Sequence, residues 1–148
     1  MTTELVRQTN SWISCQMARL LIIDDDEDDV LLLSEAIENV WPEAVCETSS
    51  NNGPWKTLIR ISPPTIIFID AFSSIGQDCL KELQTINQNG EITIVVYTDE
   101  YRTSVLAEYK TLGANHILEK NDFEQLKTSL TFLRESFGAS AKCVQQED

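Results

Sequence analysis

Leu20 to Asp29 reads LLIIDDDEDD, four apolar residues followed without a break by six acids. A run of acids is ordinarily a solvated face. Here the stretch before it, RLLII over 19–23, has the length and near-continuous apolar character of a strand buried on both faces. The acids then sit at that strand's carboxyl end. TIIFID, Thr65 to Asp70, repeats the pattern and again closes on an acid, and ITIVVYT over 92–98 is a third run of the same kind.

Helical periodicity fills the gaps. Val30, Leu33, Ile37 and Val40 recur at spacings of three and four, and Trp41-Pro42 ends that helix. AVCETSS is a weaker strand; NNG then opens a short helix around Trp55, Leu58 and Ile59, stopped by Pro63-Pro64. Beyond the AFSSIG loop, Leu80, Leu83 and Ile86 mark a helix closed by Asn89-Gly90, and Val105, Leu106, Tyr109 and Leu112 mark one closed by Gly113. NHILEK is the last strand, and Phe123, Leu126, Leu130, Leu133 and Phe137 form the last helix. Five strands alternating with five helices predict an α/β protein of flavodoxin-like, doubly wound type, a parallel sheet with helices on both faces.

The chain of 148 residues fits one domain with a sizeable core, assigned to 18–137. Residues 1–17 read as a flexible extension, with Met17 an alternative start, and 138–148 as a flexible tail. With 42% hydrophobic and 24% charged residues, the composition is that of a folded soluble protein. A formal net charge of −13 argues against nonspecific nucleic-acid binding, which needs basic surface. Cys15, Cys46, Cys79 and Cys143 are scattered, with only His116 to help them hold zinc, so reduced thiols in the cytoplasm are expected. No apolar run is long enough for a membrane span, and the N-terminal segment lacks the pattern of a secretory signal.

In open parallel sheets, sites form at the carboxyl ends of strands where the strand order reverses. The polar residues there are Asp24, Asp25 and Asp26 after the first strand, Asp70 after the third, Thr98 on the fourth and Lys120 after the fifth. Carboxylates sharing one concavity repel one another unless a cation or protonation relieves them. A hard divalent ion, magnesium above all, answers that with oxygen ligands. Such a pocket with a lysine and a hydroxyl also suits phosphoryl transfer to a carboxylate, with Asp70 as nucleophile and Lys120 and Thr98 on the phosphoryl oxygens.

With these motifs the chain resembles the receiver domains of two-component response regulators, from Ala18 to Phe137. LLIIDDDEDD is similar to the first strand with its acidic pair, here Asp24 and Asp25. TIIFID is similar to the strand ending in the phosphorylated aspartate, VVYT to the strand ending in the switch hydroxyl, and GANHILEK to the segment ending in the site lysine. The resemblance implies a phosphoprotein that takes its phosphoryl group from a sensor histidine kinase or a histidine phosphotransfer protein and uses Mg2+. Its metal ligands would be Asp25, Asp70 and the backbone carbonyl of Phe72, with Asp24 acting mainly through water. It also implies signalling to a protein target through the fourth helix, fifth strand and fifth helix, a face that can serve a homodimer. A stand-alone receiver is expected.

The chain departs from the family pattern in places. AFSSIGQD after Asp70 lacks the usual Met-Pro and is shorter, and Phe72 puts a bulky side chain where attacking water would pass, which predicts a long-lived phosphoaspartate. Asp99 replaces a small residue. Asn121 stands where the family commonly has a cis proline, and a cis bond there costs on the order of 3 kcal/mol. Ile117 occupies the place of the switching aromatic, leaving Tyr97 or Tyr101 as substitutes. Asp26, Glu27, Asp28 and Asp29 read as first-turn acids and solvated surface. Two alternatives compete: a degenerate receiver that binds partners without phosphorylation, and a haloacid-dehalogenase-like phosphatase in which Asp24 and Asp26 imitate a DxD pair.

Overall fold

A computed structural model describes residues 17–99, 102–120 and 122–140. Strands and helices alternate as β1 (Arg19–Ile23), α1 (Glu27–Val40), β2 (Val45–Ser49), α2 (Trp55–Ile61), β3 (Ile66–Ile69), α3 (Ser74–Ile86), β4 (Thr93–Thr98), α4 (Thr103–Thr111), β5 (His116–Glu119) and α5 (Phe123–Ser140). The strands pair in parallel in the order β2-β1-β3-β4-β5. The order reverses between β1 and β3, as expected of a doubly wound sheet.

Alternation along the strands divides the core into two layers. Leu20, Ile22, Ile66, Phe68, Val95 and Tyr97 face α1 and α5, where Leu33, Ile37, Leu126, Leu130 and Leu133 meet them. Leu21, Ile23, Ile67, Ile69, Ile94 and Val96 face α2, α3 and α4 through Trp55, Ile59, Leu80, Leu83 and Tyr109. Strands apolar on both faces are thus explained by helices on both faces. Trp41 and Trp55 belong to this core at 2% and 1% exposure.

Two element ends differ from expectation. α3 stops at Ile86 because the Asn87 side chain takes over, accepting from Ile92 N–H and donating to Ile92 O, while Gly90 makes the turn beyond at φ 68°. α5 continues to Ser140, past Gly138 where a tail was expected to start, and 141–148 lie outside the described residues. Phe137 anchors that last turn against Trp41, ring centroids 5.5 Å apart.

α3 lies so close to the sheet that a Cβ on Gly76 would come within 2.1 Å of the Asp70 carbonyl oxygen. Gly76→Ala therefore forces the helix away from the end of β3, and denaturant unfolding should show a loss of about 1–3 kcal/mol. A Cβ on helical Gly138 meets nothing within 4 Å. Gly138→Ala should leave stability unchanged or raise it by up to about 1 kcal/mol.

Candidate functional site

The ladder hydrogen bonds run on past the strands into the site. Asp24 N–H donates to Ser49 O at 3.0 Å, Asp70 N–H to Ile23 O at 3.2 Å and Lys120 N–H to Thr98 O at 2.8 Å. Asp24, Asp70, Thr98 and Lys120 are therefore held on one rim of the sheet by the same bonds that build it. Thr98 is fully buried at that rim.

Lys120 Nζ stands 2.6 Å from Asp29 Oδ2, 2.8 Å from Asp70 Oδ2 and 3.5 Å from Asp24 Oδ2. Its side chain is only 6% exposed. The Tyr97 ring lies 5.1 Å from the ammonium, within cation–π range. Burial alone would lower the lysine pKa, but hydrogen bonds to Asp29 and Asp70, with the charges of Asp70 and Asp24, outweigh it and hold the ammonium above its usual value. The Asp24 pKa is raised as well. Burial raises its pKa, and the charges of Asp70 and Asp29 add to that against the Asp26 N–H bond and Lys120, which favour the carboxylate.

The six acids behind β1 do different things. Asp24 turns into the pocket, its Oδ1 accepting from Asp26 N–H at 2.9 Å. Asp26 caps α1, accepting from Asp28 N–H and Asp29 N–H. Glu27 and Asp28 are exposed in the first turn, where the helix dipole favours acids. The expectation that Asp29 is solvated surface is corrected: its carboxylate turns back onto Lys120. Side chains of a helix lean toward its N-terminus, and the third residue after the cap is thereby aimed at the strand end.

Asp25 looks toward β2. Its Oδ1 accepts from Asn51 N–H at 2.7 Å, and the Asn51 amide, with its nitrogen toward the carboxylate, donates to the same oxygen at 3.0 Å. Asn51 O in turn accepts from Trp55 Nε1 at 3.0 Å and Cys79 Sγ at 3.4 Å, tying the loop to α2 and α3. The Asp24 and Asp25 carboxylates thus meet different partners, Lys120 and Asn51. Among the described residues, the carboxylate oxygens within 4.8 Å of one another belong to Asp24, Asp29 and Asp70.

In the loop after β3, Phe72 N–H donates to Asp70 Oδ1 at 2.9 Å, while Lys120 donates to Oδ2. The Phe72 ring is 58% exposed. Asp99 is exposed, and Ile117 packs against the core layer of α2 to α4. Tyr101, Asn121 and the isomer of the Lys120-Asn121 bond lie outside the described residues. The pocket has a surplus of carboxylate over ammonium charge and only oxygen donors, a set that could bind a hard divalent cation.

The Asp24 shift has a measurable sign. A carboxylate whose folded pKa lies above its unfolded value of about 3.9 costs stability as pH rises from that value through the folded one. Asp24→Asn removes this cost. In metal-free buffer the variant should melt a few degrees above the parent at pH 7, and the gap should close toward pH 3. Equal melting at both pH values would show that Asp24 bears no such penalty.

No family model matches the chain, and no curated protein does. Solved structures do. The signal receiver domain of a DNA-binding response regulator from Colwellia psychrerythraea is 21% identical, with a TM-score of 0.67 over 80% of this chain and 98% of that one. The phosphorylated cyanobacterial phytochrome response regulator RcpA is 18% identical, with a TM-score of 0.66 over 85% and 96%. A response regulator solved in its Mn2+-bound form is 16% identical, with a TM-score of 0.64 over 85% and 98%. The chain has the fold of response-regulator receiver domains.

Proposed function

We propose that the protein is a phosphoacceptor of two-component or phosphorelay signalling, carrying the phosphoryl group on Asp70. The observation that carries this reading is the contact between Lys120 Nζ and Asp70 Oδ2, 2.8 Å, at the carboxyl end of a sheet ordered β2-β1-β3-β4-β5. A buried ammonium against a strand-end carboxylate has a clear use when that carboxylate gains more negative charge. The donor is a phosphohistidine on a sensor histidine kinase or phosphotransfer protein in the cytoplasm, and the signal passes on by protein contact.

In the transfer, an oxygen of Asp70 attacks phosphorus in line, the O–P bond forms, and the P–N bond breaks with its electron pair returning to the imidazole nitrogen. Lys120 neutralises phosphoryl oxygens and the Thr98 hydroxyl donates to one. Phe72 N–H keeps the Asp70 carboxyl from rotating. Asp24, Asp25 and Asp70, with the Phe72 carbonyl, would hold Mg2+; Asp29 groups with Asp24 and Asp70. When bound, the ion supplies positive charge against the carboxylates and the phosphoryl oxygens.

The engagement of Asp26 as a helix cap leaves the DxD pair of a phosphatase without its second member. Intact mass after incubation with Mg2+ and acetyl phosphate tests the reading. The parent should gain one phosphoryl group and Asp70→Asn none, and omission of Mg2+ should suppress the gain. Equal mass gain in the Asp70→Asn variant would contradict it.

A further inference from the structure

Asp29 makes the shortest of the lysine contacts, 2.6 Å, yet it neither ends a strand nor lies in the loop of Asp70. Its side chain is 27% exposed, so it is less committed to the interior than Asp24 at 4%. Its position is fixed from its own helix, through Asp29 N–H on the Asp26 cap at 3.2 Å. An ammonium has three hydrogens to donate, and in this pocket Asp24, Asp29 and Asp70 face all of them.

We propose that Asp29 is a positioning residue, a resting counter-ion that holds Lys120 toward α1 and is released when a phosphoryl group on Asp70 claims the ammonium. The consequence for ligand binding rests on the phosphoacceptor reading; the ion pair itself does not. A phosphoryl group adds oxygen acceptors beside Asp70, and a lysine with every hydrogen committed has to surrender one bond to reach them. The bond to Asp29 is the one that competes, because Asp29 is the partner outside the β1 and β3 strand ends. Asp29 therefore weakens the hold of the pocket on phosphoryl oxygens.

Beryllium fluoride, which mimics a phosphoryl group on a carboxylate, separates this from general electrostatics. With Mg2+ in excess, calorimetry should find that Asp29→Asn binds it about tenfold more tightly than the parent, the size of one hydrogen bond to a charged group. Asp29→Glu, which keeps the charge, should return toward the parent. Asp28→Asn removes the same charge from the same turn at an exposed position and should change affinity by less than about twofold. Unchanged or weaker binding by Asp29→Asn, or an equal effect of Asp28→Asn, overturns the proposal.

If the parent binds no beryllium fluoride, the phosphoacceptor reading fails, and the ion pair is judged separately. Hydrogen exchange of the Lys120 ammonium, followed by nitrogen NMR without donor or metal, should be faster in Asp29→Asn than in the parent and in Asp28→Asn. Equal exchange in all three overturns the positioning role as well.

Discussion

One ammonium among several carboxylates organises this molecule at its working end. Asp24 and Asp70 stand on either side of the β1/β3 point where strand order reverses, and Lys120 arrives from β5 across β4. Without a cation between them, carboxylates at this separation could not all stay ionised. The carboxylates raise the lysine pKa against its burial, while burial, with smaller contributions from Asp70 and Asp29, raises that of Asp24.

The sheet makes the balance possible by removing freedom. The ladder bonds that fix Asp24, Asp70 and Lys120 by their backbones leave only side-chain rotamers to choose, and packing on both faces limits those. Gly76 lets α3 close directly over the Asp70 carbonyl. Tyr97 supports the ammonium from below, and its hydroxyl is buried without a protein partner among the described residues. Burial pushes that phenol up to about 12, so it stays neutral beside the charged cluster.

Much of this was legible in the sequence because parallel sheets announce themselves. RLLII, TIIFID and TIVVYT are apolar on both faces, and strands of that kind need helices above and below. Asp24, Asp70, Thr98 and Lys120 were readable as strand ends for the same reason. The roles inside DDDEDD were not. They depend on which acid caps the helix, and once Asp26 does so the helix phase sends Asp29 inward and leaves Glu27 and Asp28 outside. The acceptance of Asn51 N–H by Asp25 is a contact across separate loops, and no local pattern encodes it. The close approach at Gly76 is equally silent, since a glycine inside a helical run carries no mark of what lies opposite.

The fold is shared with response-regulator receiver domains, and the functional reading turns on which atom of the pocket receives a phosphoryl group. Borohydride reduces an acyl phosphate to the alcohol, so an aspartyl phosphate becomes homoserine and can be located by peptide mass mapping. After exposure to a phosphohistidine donor with Mg2+, the account predicts homoserine at position 70 alone. Homoserine at position 24, 25 or 29, or a phosphoryl group on a residue outside the strand-end cluster, would contradict it.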